Sequence, residues 1–172
     1  MVAAGSTSPF ALYPPSQAWA ESLHGFSWLR HLRASDLPVA PARARDLMLG
    51  FIQGRHDREP VSQSPAVLTR RLQACLANAP VLLSGADRDF YEALLGQLSR
   101  DTARLSVAMR VEGGLTRLAA LVGLTQAALC LEGFEKQEPR WRLALEKELD
   151  RQILPDGGHV SRNPRALIDL LA

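Results

Sequence analysis

The residues best suited to chemistry in this sequence fall in one polar run, Pro155-Asp156-Gly157-Gly158-His159-Val160-Ser161-Arg162-Asn163. Asp156-Gly157-Gly158 reads as a turn that lets the backbone approach a neighbour closely. His159 is able to act as a general base, an acid or a hydrogen-bond donor near neutral pH. Ser161, Arg162 and Asn163 gather where a helix is expected to start, and there free N–H groups and the helix dipole favour an anion. The same residues fit a plain inter-helix loop, with Asn163 as N-cap and His159 tied to a carbonyl. Composition leaves both readings open.

Three further stretches carry reactive or recognising groups. His24-Gly25-Phe26-Ser27-Trp28-Leu29-Arg30-His31 mixes aromatic, imidazole and guanidinium side chains. Aromatic faces suit sugar C–H groups and arginine suits carboxylates, which makes His24 and Trp28 candidate ligand contacts. The plainer alternative puts Phe26 and Leu29 in a core and His31 in solvent. Arg140-Trp141-Arg142, with Glu146, Lys147 and Glu148, reads as a solvated helix face with Trp141 docking inward. Arg55-His56-Asp57-Arg58-Glu59 alternates in charge and reads as a surface loop. The sequence has no phosphate-cradling Gly-rich loop with Lys-Ser/Thr, no His-Glu-x-x-His, no cysteine quartet and no Gly-x-Ser-x-Gly. No metal site or cofactor is therefore expected.

The elements that must position these residues are helical. Strand-like alternation is nearly absent, whereas apolar residues recur at helical spacing. One helix is expected from Gln17 to Arg33, interrupted at Gly25, and a second from about Val39 to Gln53, stopped by Gly54. A third begins at Ser64-Pro65 and ends at Asn78-Ala79-Pro80, with Arg55 to Gln63 as a loop before it. A fourth opens at Ser84-Gly85-Ala86-Asp87 and breaks at Glu112-Gly113-Gly114. A fifth, Leu115 to Leu131, is apolar on nearly all sides and belongs centrally. A sixth covers Arg140 to Ile153, and a seventh follows the Asn163-Pro164 cap. Short breaks between helices favour antiparallel hairpins. Residues 1–16, with Pro9, Pro14 and Pro15, read as a flexible leader rather than an export signal, and 17–172 as the helical domain.

Bulk properties narrow the function classes. The 172 residues carry a net charge of +2, with 47% hydrophobic and 22% charged residues, so nucleic acid is not an expected partner. No apolar run reaches the ~18 residues of a membrane-spanning helix. Cys75 and Cys130 both sit in apolar helical patterns and are expected as buried free thiols. The final apolar residues Leu167, Ile168, Leu170 and Leu171 suggest an N-terminal piece of a longer protein, or a face covered by a second copy.

Two segments resemble a known family. Ser22 to Leu32 is similar to the opening helix of bacterial heparinase II/III family proteins, and Glu148 to Pro164 to a later signature of the same branch. The resemblance implies part of an incomplete α/α toroid of helical hairpins, normally followed by a β-sandwich domain that this chain lacks. It also implies a polysaccharide lyase acting on acidic uronate polymers by β-elimination. Such lyases carry an Asp-Gly-x-His/Tyr-x-Glu-x-Ser-Pro-x-Tyr pattern here. Asp156, Gly157, His159 and Pro164 fit it, while Ser161, Asn163 and Ala166 stand in place of the Glu, the Ser and the proton-transferring Tyr. The resemblance thus makes His159 the catalytic candidate, with Arg162, Asn163 and Ser161, then His24 and Trp28, facing substrate. The departures shift the expectation from turnover to binding, and 172 residues alone are expected to be inactive. The rival expectation is a non-catalytic helical interaction module.

Overall fold

The computed structural model describes residues 8–35 and 37–165. The protein is all-α. Among the described residues the α-helices are α1 Gln17–His24, α2 Leu29–Arg33, α3 Ala40–Gln53, α4 Pro60–Gln63, α5 Pro65–Ala77, α6 Ala79–Leu83, α7 Arg88–Ala108, α8 Gly114–Cys130 and α9 Glu138–Gln152. Two 3-10 turns, Pro9–Ala11 and His56–Arg58, complete the list of elements. The only extended pairing among the described residues is a single antiparallel bridge between Ile153 and His159.

Helix ends follow local chemistry. Ser16 caps α1 by accepting the Trp19 N–H, and Asp87 caps α7 by accepting that of Phe90, each satisfying an otherwise orphaned donor. Proline near the first position opens α3 through α6 and α9, where its missing N–H costs nothing. The helix expected over Gln17 to Arg33 is interrupted at Gly25, as expected, and forms two helices. Phe26 takes a left-handed φ of 58°, uncommon for a bulky side chain, and the chain turns between α1 and α2. That turn drives Phe26 and Leu29 into the core, both with no exposed surface, and leaves His31 outside.

α8 is the central helix. It packs on α5, α7 and α9, and Leu118, Leu121, Leu124 and Ala127 along it are buried. Gln152 at the end of α9 donates to the Gly114 carbonyl at the start of α8, so these two run antiparallel. Arg117 in the first turns of α8 donates to the carbonyl of Met109 just beyond α7, and the chain reverses there too. In a second layer α1 and α2 close over α5 while α3 packs on α2, α6 and α7, and Phe10, Phe26, Met48 and Phe51 join the core there.

The structure corrects four expectations. The segment from Arg55 to Gln63 holds a 3-10 turn and α4 rather than a surface loop, and Asp57 is buried. The third helix ends at Asn78 as expected, but a further short helix, α6, follows from Ala79 where a plain break was expected. Phe10, inside the expected flexible leader, is buried against His24, Phe26, Phe51 and His56. Cys75 is buried, but Cys130 is exposed. The buried stripe of α8 passes through Leu124, Ala127, Ala128 and Leu131, and position 130 lies off it. The expected seventh helix lies mostly outside the described residues, as do Ala166 and the apolar Leu167 to Leu171.

Candidate functional site

The 155–163 run is a tight, internally bonded loop. Leu154 accepts from Gly157 N–H at 2.8 Å across Pro155-Asp156, and Leu154 N–H returns to Gly158 at 2.7 Å. Gly157 has φ 78°, a conformation glycine adopts freely. Asp156 Oδ1 accepts Gly158 N–H at 2.9 Å, and its Oδ2 takes Arg162 Nη1 at 2.6 Å. The Arg162 guanidinium, followed by the Gly158 N–H, holds the Asp156 carboxyl below the usual carboxylate range. Asn163 Oδ1 accepts the Arg165 N–H at 3.0 Å, as the capping reading expected. Ser161, Arg162 and Asn163 are exposed.

His159 is turned inward and buried. Its Nδ1 receives the Ser161 backbone N–H at 3.1 Å and lies 2.7 Å from the Ser161 hydroxyl. A nitrogen that accepts an N–H carries no proton, so the ring proton sits on Nε2. Nε2 donates to Gln152 Oε1 at 2.9 Å. Gln152 Nε2 in turn donates to Glu148 Oε1 at 2.5 Å, and Arg117 Nε lies 3.3 Å from Glu148 Oε2. Arg151 also bonds Glu148. Burial raises the Glu148 pKa, but the Gln152 and Arg151 hydrogen bonds and the Arg151 and Arg117 charges outweigh it, leaving it below the ordinary value. Glu148 was expected on a solvated face; it is buried because this chain of bonds draws it in.

Arg117 connects the loop's support to a groove of about 520 Å³ among the end of α7, the start of α8 and the first half of α9. Arg110, Arg117, Arg140 and Gln137 line it, with Trp141 and Met109 as apolar lining. Trp141 docks inward as expected, buried and 6.0 Å from the Phe134 ring. Arg117 is matched by Glu148. Arg110 and Arg140 are exposed and form no salt bridge with any described residue.

His24 and Trp28 belong elsewhere, to the layer over α5. Trp28 Nε1 donates to the Leu23 carbonyl at 3.2 Å, and its ring lies 5.3 Å from Phe26. His24 Nδ1 lies 2.6 Å from Ser62 Oγ and its Nε2 3.6 Å from Glu59 Oε2. Burial lowers the His24 pKa; Glu59 opposes this, and Arg71 and His56 add to it. Serine, histidine and carboxylate meet here, but Ser62 has no exposed surface, so no substrate reaches its hydroxyl. Beneath lies the centre that the sequence did not single out. Arg71, with no exposed surface, grips Asp101 through Nε and Nη2 at 2.8 and 2.9 Å. It also donates to the carbonyls of His24 and Ser62 at 3.0 and 3.2 Å, and its guanidinium lies over Phe51 at 5.1 Å. Gln97 donates to Asp101 at 3.0 Å, and Arg104 reaches buried Asp57 at 2.7 Å.

Among the described residues no group of three or more His, Cys, Asp or Glu side chains could hold a metal ion. No helix of the described residues is long and apolar enough to cross a membrane. The site is therefore defined by an inward histidine loop and an arginine-lined groove on an all-α frame. No family model matches the chain, and no solved structure matches it. FtsZ-localized protein C of Caulobacter vibrioides (strain NA1000 / CB15N) is 30% identical to it over 163 residues, which are 95% of this chain and 28% of that protein. The chain thus spans well under a third of the length of the curated relative it matches.

Proposed function

We propose that this chain is a non-catalytic helical binding module that works where FtsZ is found. The observation that carries the binding reading is the division of roles at the site. His159 commits both ring nitrogens inside the protein, while Arg110 and Arg140 stand on an open groove without carboxylate partners among the described residues. A proton-transfer catalyst needs a free nitrogen within reach of substrate, whereas a binding surface needs unspent donors. The similarity to FtsZ-localized protein C supports the location. The test is to image the fluorescently tagged chain with FtsZ in cells of the same organism. Coincidence of the two signals supports the proposal, and an even distribution of the chain while FtsZ is concentrated overturns it.

A second reading keeps the heparinase II/III resemblance, in which the chain is a toroid segment of a uronate polysaccharide lyase. It draws on the exposed Arg162 and Asn163 at the loop, where a sugar carboxylate would be met. Incubation of the full-length protein with heparan sulfate, alginate and other uronans tests it. Growth of the unsaturated product's absorbance supports the lyase, and its absence from every uronan removes that reading.

A further inference from the structure

The groove between α7, α8 and α9 has a charge pattern that selects its ligand. Among the described residues three arginines line it and no carboxylate does. One of the three is satisfied internally, since Arg117 holds Glu148. Arg110 and Arg140 keep their guanidinium donors for something outside the described residues. A planar guanidinium offers paired N–H groups that match a carboxylate's two oxygens. The volume, about 520 Å³, takes a few residues of an extended chain rather than a folded surface.

The aromatic group decides between ligands that share carboxylates. A sugar ring is held by stacking on an exposed aromatic face. Trp141 is the groove's sole aromatic lining residue among the described residues, and it is 5% exposed, packed near Phe134. It offers almost no face for a sugar. Half-buried Ala144 and the edge of Met109 beside it give the groove an aliphatic lining. Val107 and Val111, in sequence next to the groove residues, are exposed at 62% and 90%. Guanidinium donors with apolar lining fit a peptide in which acidic and small apolar residues mix.

We propose that this groove binds an acidic peptide segment of a protein partner, with Arg110 and Arg140 pairing its carboxylates. The proposal rests on the binding-module reading and gives that module its ligand. The probe is a fluorescein-labelled ten-residue peptide of alternating Glu and Ala, followed by anisotropy against the whole chain at low salt. A matched peptide with Gln for Glu, and an alginate-derived uronate oligomer of equal charge, serve as comparators. The Glu peptide is expected to bind saturably, to weaken with added salt, and to bind more tightly than either comparator. The doubly substituted Arg110→Gln/Arg140→Gln chain is expected to lose about tenfold or more in affinity. The doubly substituted Arg30→Gln/Arg43→Gln chain, changed at exposed arginines away from the groove, is expected to lose less than about twofold. Both altered chains are expected to melt as the parent does, because all four residues are exposed. Absence of saturable binding, equal losses in the two altered chains, or tighter binding of the Gln peptide or the uronate overturns the assignment. If the chain coincides with FtsZ but ignores the peptide, the groove assignment alone fails. If it binds the peptide through Arg110 and Arg140 yet is dispersed in cells, the location alone fails.

Discussion

Replacing Arg71 by Met tests whether the protein depends on its buried ion pair as the geometry requires. The substitution removes four hydrogen bonds, two to Asp101 and one each to the carbonyls of His24 and Ser62. Asp101 would then keep only Gln97 at 3.0 Å and the more distant Arg104 at 3.9 Å. Stranding a buried charge costs about 3–5 kcal/mol, and stranding a carbonyl adds ~1 kcal/mol or more. A loss of about 5 kcal/mol is expected, against a total stability on the order of 5–15 kcal/mol for a domain. In urea unfolding followed by circular dichroism, a slope of ~2 kcal/mol per M converts this into a midpoint lower by about 2.5 M. Arg71→Met/Asp101→Leu removes both charges, leaving only the two carbonyls short of donors. That double change is expected to recover about 3 kcal/mol of the loss. A double variant as unstable as the single one, or a single variant within ~1 kcal/mol of the parent, would refute the reasoning.

Further outcomes follow from the same contacts. Burial holds the His24 pKa below its ordinary 6.5, so the unfolded chain binds this proton more readily. Stability from neutral His24 is complete above about pH 6.5 and is lost as pH falls through the folded value. Denaturant midpoints across that range should fall with acid, and His24→Asn should flatten the slope. Gly25→Ala places a Cβ at 2.8 Å from the Glu21 carbonyl oxygen and 3.3 Å from Arg70 Cβ, so a thermal melt should show a loss of about 1–3 kcal/mol. Gln152→Leu leaves the His159 N–H, the Gly114 carbonyl and one Glu148 bond unanswered. It should cost about 2 kcal/mol and raise amide exchange at Leu154, Gly157 and Val160, whose N–H groups close the loop.

The long helices were legible because a stripe of apolar side chains repeats along them. The cap residue Asn163 was legible because its side chain acts two positions away. α4 and α6 were not, since four or five residues hold too little of a helical period to register. Nothing in the run Ser22 to Leu32 announces the left-handed Phe26, which is held by packing against Phe10 and Phe51. The loop's chemistry was half legible. Its turn and cap came from residue types, but the inward rotation of His159 depends on Gln152, seven positions back on α9. Arg71 and Asp101 were invisible for the same reason. They are 30 positions apart, and each alone looks like an ordinary charged residue on a helix. Arg140 lies 23 positions beyond Arg117 and joins Arg110 and Arg117 only through the packing of α9, so the shared groove has no contiguous signature.

The bonds that run from Arg117 through Glu148 and Gln152 to His159 have an evolutionary consequence. Each member satisfies its neighbour, so drift at one position exposes the others to selection. Losing Glu148 would take from Arg117 its carboxylate and leave Gln152 only the Gly114 carbonyl as acceptor, and losing Gln152 would leave His159 without its acceptor. These four residues, from two helices and a loop, should therefore be inherited as a set or replaced as a set. Lineages that abandon the histidine are expected to have rewritten positions 117, 148 and 152 as well.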